Sequence, residues 1–228
     1  RMILSKELVI IYDTPAMSSQ HIAAIHNPGF YLQWFDKVHI TYWAKHAEGQ
    51  SFPLAKGNIA FYGYEKEYTS GYAAGVGYMV WIAKTLWKIA SDAPSGTRMV
   101  FMPVIPIWPG IPALVVGKLK RKKVVLRAEA EKIQYLRLKE RLQGKPAIII
   151  AFKTALLKAV YGATIPFYDT VLLLSEGMRK EMEQFRPKRV LCLPIPIDLK
   201  AFFAVVPHQS NEGANPVLLY AGQVKKIK

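Results

Sequence analysis

Short, unbroken apolar runs recur along this chain, and segments with helical spacing separate many of them. Residues 8–12 form the first run, closed by Asp13, Thr14 and Pro15, which predicts a strand followed by a loop. Ser18 or Ser19 is placed to cap a helix through Ile25, which Asn27, Pro28 and Gly29 break. Residues 37–43 and 59–64 predict two further strands. Residues 71–90 predict a long helix by length and small-residue content, and residues 92–96 a turn. A strand over 99–105 runs into a proline-rich loop, 103–112. A short helix follows over 113–119, a strand over 123–127, and a charged helix over 131–142 ended by Gly144. Residues 171–174 form a run with no polar residue. The helix after it places Met178, Met182 and Phe185 on one stripe, with Arg179, Lys180, Glu181 and Glu183 on the other faces. Residues 189–193 form the last strand before Pro194 and Pro196.

The strands are continuously apolar and do not alternate with polar residues, and they are interleaved with helices. That pattern predicts an α/β fold: a Rossmann-like parallel sheet with helices on both faces. In such sheets ligands bind beyond the carboxyl ends of the strands. Those ends carry Asp13, Ser18, Ser19 and Gln20 after the first strand, Pro103 to Trp108 after the strand at Met99, Arg127 and Glu129 after the strand at Lys123, and Ser175 and Glu176 after the strand at Val171. Each has a structural alternative. Ser175 fits a helix N-cap, and Asp13 fits the organisation of a turn.

Charge changes the picture at one place. The chain of 228 residues has a formal net charge of +15, yet residues 118–145 alone hold 11 basic and 3 acidic side chains. A basic stripe of this kind attracts anionic lipid, nucleic acid or phosphorylated substrates, or is simply a solvated helix face. Residues 147–167 and 71–90 are long and apolar. Lys153 and Lys158 interrupt the first and Lys84 and Lys88 the second, so both read as buried or interfacial helices and not as spans. The start of the chain lacks the plan of a signal peptide, and its leading Arg1 suggests a sequence that does not begin at a natural start. The single cysteine, Cys192, excludes an intramolecular disulfide, which fits a reducing compartment.

Several chemistries find no footing. His21 and His26 are five apart, not the four of a helical zinc pair, and there is no phosphate-loop, dinucleotide-binding or nucleophile-elbow pattern. No familiar RNA-binding motif accompanies the basic run.

Three segments in a fixed order carry a resemblance: V-L-L-L-S-E-G-M-R-K-E-M within 171–182, P-I-P-I-D at 194–198, and V-L-L-Y-A-G-Q-V-K-K-I-K at 217–228. Together they resemble retaining glycosyltransferases of the GT-B fold, particularly glycosyltransferase family 4. The resemblance covers about residues 169–228, and the βα order before it agrees. Gln223 stands where the family usually has Arg, the loop after the first strand lacks the family's frequent glycine, and Glu129 stands where members often have His.

The resemblance implies an N-terminal acceptor-binding domain at 1–205, a linker at 206–216, and the first strand of a nucleotide-sugar-binding domain at 217–228. It implies sugar transfer from a nucleotide sugar with retention, without cofactor or obligatory metal, to a glycan or lipid-linked acceptor. Glu129 becomes a candidate catalytic or hydrogen-bonding carboxylate, or a partner of Arg127 or Lys132. Asp13, Ser18, Ser19, Gln20, Arg127, Ser175 and Glu176 become acceptor-side candidates, and Gly222, Gln223 and Lys226 donor-side ones. Many members work at membrane surfaces. That makes Lys120, Arg121, Lys122, Lys123 and Trp108 candidates for contact with the cytoplasmic face of the plasma membrane, with residues 147–167 either beside them or buried as a crossover helix. Nucleic acid is disfavoured as a partner. The competing reading is a non-catalytic α/β module that uses the basic surface to bind anionic lipid or nucleic acid.

Overall fold

The computed structural model describes residues 5–16, 28–44, 58–64, 72–128 and 132–193. Seven parallel strands form one sheet: β1 (Lys6–Ala16), β2 (Lys37–Ala44), β3 (Ile59–Tyr64), β4 (Arg98–Pro103), β5 (Lys123–Ala128), β6 (Thr170–Leu173) and β7 (Val190–Cys192). Their spatial order is β3-β2-β1-β4-β5-β6-β7, the Rossmann-like arrangement that the continuous apolar runs predict. The helices are α1 (Tyr72–Asp92), α2 (Gly110–Leu119), α3 (Lys132–Leu142), α4 (Ala147–Thr164) and the short α5 (Arg179–Glu183).

β1 is central. Glu7 to Ile11 pair with Lys37 to Thr41 of β2 on one edge and with Met99 to Pro103 of β4 on the other. Its side chains feed two cores. Val9 and Ile11 pack with Phe101, Val124, Leu126, Val171 and Leu173 under α1, α2, α4 and the 3-10 turn Ile165–Phe167 after α4, which contribute Ile82, Leu86, Ala113, Val116, Tyr161 and Ile165. Leu8, Ile10 and Tyr12 face the opposite layer with Val38, Ile40, Met102 and Tyr31, the last from a 3-10 helix at Pro28–Gln33. Each buried side chain of this size contributes roughly 1.5–3 kcal/mol over its exposed state.

The strand and helix ranges follow the sequence reading closely, with two corrections. The loop expected at Asp13–Pro15 is still β1: Pro15 and Ala16 pair with Trp43 and Ala44 after a register shift beyond Ile11. A bulge there accommodates proline, which has no N–H to give to a ladder. α2 begins at Gly110, three residues before the predicted start. Pro112 sits in its first turn, where a missing N–H leaves no hydrogen bond unmade. The helix expected through Ile25, the linker at 206–216 and the strand at 217–228 lie outside the described residues.

Local devices hold the layers in register. Asp169 accepts hydrogen bonds from the Val124 N–H at 2.8 Å and from Lys118 Nζ at 3.2 Å, tying α2 and β5 to the entry of β6. Burial pushes its carboxyl up, but the Val124 N–H and Lys118 together hold it below the usual range. Gly144, at φ 68°, ends α3, with Lys145 N–H reaching Glu140 O and Gly144 N–H reaching Arg141 O. These are the two bonds of a Schellman cap. Gly110 matters for space: a Cβ there would collide with the Tyr168 hydroxyl and stand 2.6 Å from Ile105 O.

Gly110→Ala is therefore expected to cost about 1–3 kcal/mol in denaturant unfolding. Gly162→Ala, on α4 with nothing within 4 Å, should gain up to about 1 kcal/mol. Equal effects from both would show that backbone entropy, and not the contact at Gly110, governs the difference.

Candidate functional site

The strand order reverses between β1 and β4, and their carboxyl ends bound a crevice where the connections leave toward opposite faces. Ile11 pairs with Pro103, and the Val104 N–H still bonds Ile11 O at 3.1 Å, so the two strands stay joined up to the rim. Beyond them the chain turns through Val104–Pro109 into α2. Trp108 from this turn is half-buried against α1. A Cβ at Gly75 would come within 2.9 Å of its ring, so glycine at that position makes room for the indole. An aromatic group, Trp43, Tyr64 and Tyr78, fills the space under the ends of β2 and β3, with ring centroids 4.7–5.5 Å apart. The Tyr78 hydroxyl donates to the carbonyl of Tyr12, which pins α1 to the end of β1.

On the other face of the rim, Arg127 stands one residue before the end of β5 and is 2% exposed. Its Nη1 donates to the Tyr31 hydroxyl at 3.0 Å, and Tyr31 is itself buried. A buried guanidinium is costly unless it is hydrogen-bonded. Its planar fork suits carboxylate, phosphate or sugar hydroxyls. Sequence reading found Arg127 by its place at a strand end. It missed Tyr31, whose partnership joins residues 96 apart.

The remaining candidates separate. Asp13 belongs to β1, and its side chain lies outside the described residues, as do Ser18, Ser19, Gln20, Glu129, Gly222, Gln223 and Lys226. Ser175 occupies the N-cap position of the 3-10 turn Glu176–Met178, but its hydroxyl makes no capping bond. Glu176 is held by a two-pronged pair with Arg179, at 2.5 and 2.8 Å, and Arg179 lowers its carboxyl from the usual range.

The basic run does not form one stripe. Lys120 lies 3.8 Å over the Trp87 ring and donates to Ser91 Oγ, and Lys122 donates to Thr97 O, all near the end of α1. Arg121 and Lys123 are exposed beside them. Trp108 stands at the opposite end of α2 from these lysines, about 15 Å away along ten helical residues. Arg137, Arg141 and Lys145 line a separate groove between α3 and α4. Among the described residues no group of three His, Cys, Asp or Glu side chains could hold a metal.

A second cluster, unread in the sequence, lies toward the amino ends of β1 and β2. Buried His39 contacts Glu7 Oε2 through Nε2 and the Tyr62 hydroxyl through Nδ1, each at 3.1 Å. The three line one side of a cleft of about 430 Å³ that Trp81, Lys88 and Asp92 of α1 close on the other. Glu7 as a carboxylate can only accept, so Nε2 carries the proton and Nδ1 accepts from Tyr62. The three side chains satisfy one another, a structural tie between β1, β2 and β3.

No known family model matches the chain, and no curated protein sequence does. Solved structures do match in fold. UGT2 of Phytolacca americana, determined with UDP-2fluoro-glucose and pterostilbene, superposes with a TM-score of 0.51 at 11% identity, over 89% of this chain and 57% of its own. A UGT transferase from Siraitia grosvenorii in complex with UDP gives 0.49 at 12% identity, covering 85% and 52%. The lipopolysaccharide outer core galactosyltransferase WaaB in its apo form gives 0.47 at 10% identity, covering 85% and 46%. The chain thus spans about half the length of these proteins. At such identity the first match establishes a shared Rossmann-like fold.

Burial pushes the His39 imidazole below its ordinary 6.5, outweighing the upward pull of Glu7. The unfolded chain, with His39 near 6.5, then binds more protons than the folded one as pH falls below that value. Stability is expected to be flat near pH 8 and to decline from about pH 6.5 downward. Urea midpoints across this range for the parent chain and His39→Gln check it. An equally steep decline in the variant would exclude His39 as its source.

Proposed function

We propose that residues 1–205 are the acceptor-binding domain of a nucleotide-sugar-dependent glycosyltransferase of the GT-B fold. In this reading residues 206–216 are the linker and 217–228 the first strand of the donor-binding domain. One combination of observations carries it. The parallel sheet with its crevice at the β1–β4 reversal is the fold shared with UGT2. In the same chain, the segments at 171–182, 194–198 and 217–228 follow in the order of glycosyltransferase family 4.

The Arg127–Tyr31 pair lies at the carboxyl end of the sheet, where the acceptor would be held. Buried just behind the rim, Arg127 would position the acceptor side of the crevice through Tyr31, with Asp13 and Glu129 as candidates by sequence for contact with acceptor hydroxyls. Transfer with retention, a hexose as the transferred group, independence of a metal, a glycan or lipid-linked acceptor and a place at the cytoplasmic face of the membrane all belong to the proposal through the family resemblance. Gly222, Gln223 and Lys226 would lie on the donor side of the cleft, so the 228-residue chain alone should turn over no donor.

The test uses the parent protein with both domains. Nucleotide-sugar binding is measured by calorimetry and transfer by nucleotide release. Arg127→Gln is expected to lower kcat/KM for the acceptor by on the order of 100-fold, since misplacing a bound reactant by an ångström costs that much. Donor affinity should stay unchanged, and Arg127→Lys should recover only part of the loss because it lacks the fork. A two-domain parent that binds no nucleotide sugar would sink the reading.

A further inference from the structure

α4 and the 3-10 turn Ile165–Phe167 that continues it form a 21-residue apolar segment; an 18-residue window of it has mean hydropathy 1.6, yet only 22% of that window is buried. Its buried side chains, Ile150, Thr154, Tyr161 and Ile165, fall on one face. Ile148, Phe152 and Leu156 recur every four residues on the opposite face and are 78%, 70% and 55% exposed. Ile149 and Phe167 are exposed too, as are Leu138 and Leu142 on neighbouring α3. Seven of the fifteen exposed large apolar side chains among the described residues thus lie between Leu138 and Phe167, which concentrates exposed apolar surface on α3, α4 and the turn that continues α4.

Beside the patch runs a groove of about 630 Å³ between α3 and α4, with four cations along it: Arg137, Arg141, Lys145 and Lys158. Among the described residues no acidic side chain lines it. Glu140, nearby, is occupied by Lys153 at 2.9 Å. Thr154, also on the groove wall, is 4% exposed, and its hydroxyl has no partner.

We infer that this face of α3 and α4 docks on an anionic lipid bilayer. The stripe Ile148–Phe152–Leu156 would lie in the interface, and lipid phosphates would be taken by the groove. Each half of the surface needs the other: an apolar stripe supplies insertion, and adjacent cations supply attraction to a negative leaflet. A second copy of the chain fits poorly, because a two-fold contact would bring two sets of these cations into one interface with no acidic side chain among the described groove residues to pair them. Nucleic acid would use the cations but leave the stripe in water. By length and composition α4 could cross a membrane, but Tyr161 and Ile165 belong to the main core and hold it against the sheet. It lies along the surface. The docking face does not depend on sugar transfer: a chain that floats with vesicles whose parent transfers no sugar, or the reverse, separates the two proposals.

Flotation of the 228-residue chain with phosphatidylcholine vesicles, with and without phosphatidylglycerol, tests it. Binding is expected only with the anionic lipid and should weaken with added salt. Arg137→Gln/Arg141→Gln/Lys145→Gln should weaken it on the order of 100-fold. Phe152→Gln/Leu156→Gln should reduce it at least about 10-fold at unchanged melting temperature, because both side chains are already in water. The triple change Lys120→Gln/Arg121→Gln/Lys123→Gln should leave it largely intact. Equal flotation on neutral vesicles, no flotation at all, or a dimer in sedimentation that Phe152→Gln/Leu156→Gln dissolves would each overturn the inference. So would tight binding to DNA unaffected by Phe152→Gln/Leu156→Gln, if lipid is not bound.

Discussion

The domain is organised by β1, which is hydrogen-bonded on both edges and buried on both faces. A strand in that position cannot tolerate an unpaired polar group, and residues 8–12 accordingly carry none outside the Tyr12 hydroxyl. Because β2 lies on one side of it and β4 on the other, the chain must leave the carboxyl ends of β1 and β4 toward opposite layers. The crevice at that reversal follows from connectivity, before any particular side chain is considered. The side chains then decorate it unequally. The layer under α1 and α2 brings aromatic rings and Trp108 to the rim, and the other layer brings Arg127 with Tyr31.

The fold was largely legible because its signals are local. Residues 59–64 read as a strand and are one, since an apolar run between turn residues has few other solutions. The misses occur where local chemistry points one way and tertiary space another. Asp13 and Pro15 signal a loop, yet the β2 partner extends far enough to keep pairing past a bulge. Gly110 and Pro112 also signal a loop. Gly110 is instead required by the Tyr168 hydroxyl and the Ile105 carbonyl, and Pro112 loses nothing in a first turn.

Strand-end positions were legible, and the pairings of their side chains were not. Arg127 could be named because strand ends can be counted. Its partner Tyr31, and the tie of Glu7, His39 and Tyr62 across three strands, depend on register, which no single-strand pattern contains. The basic run shows the converse error. Contiguity in sequence suggested one stripe, but residues 118–145 pass through a helix end, a strand and another helix. Their charges are therefore dealt to an ion pair with Asp169, to the end of α1, to the buried rim and to the α3–α4 groove.

α4 marks the limit of pattern reading most clearly. A helix apolar on nearly all sides is ordinarily a buried one, and burial as a crossover helix was one of two readings open for residues 147–167. Burial requires a neighbour for each face, and the number of neighbours is a property of topology. The sheet and its core take the face with Tyr161 and Ile165, and α3 takes only part of a flank. The face with Ile148, Phe152 and Leu156 is left in water. Selection for core packing alone would allow polar residues at those three positions at little cost, since exposed helix sites tolerate them. Large apolar groups there, next to cations with no acidic side chain among the described residues of the groove, are what the proposed docking on an anionic bilayer would require.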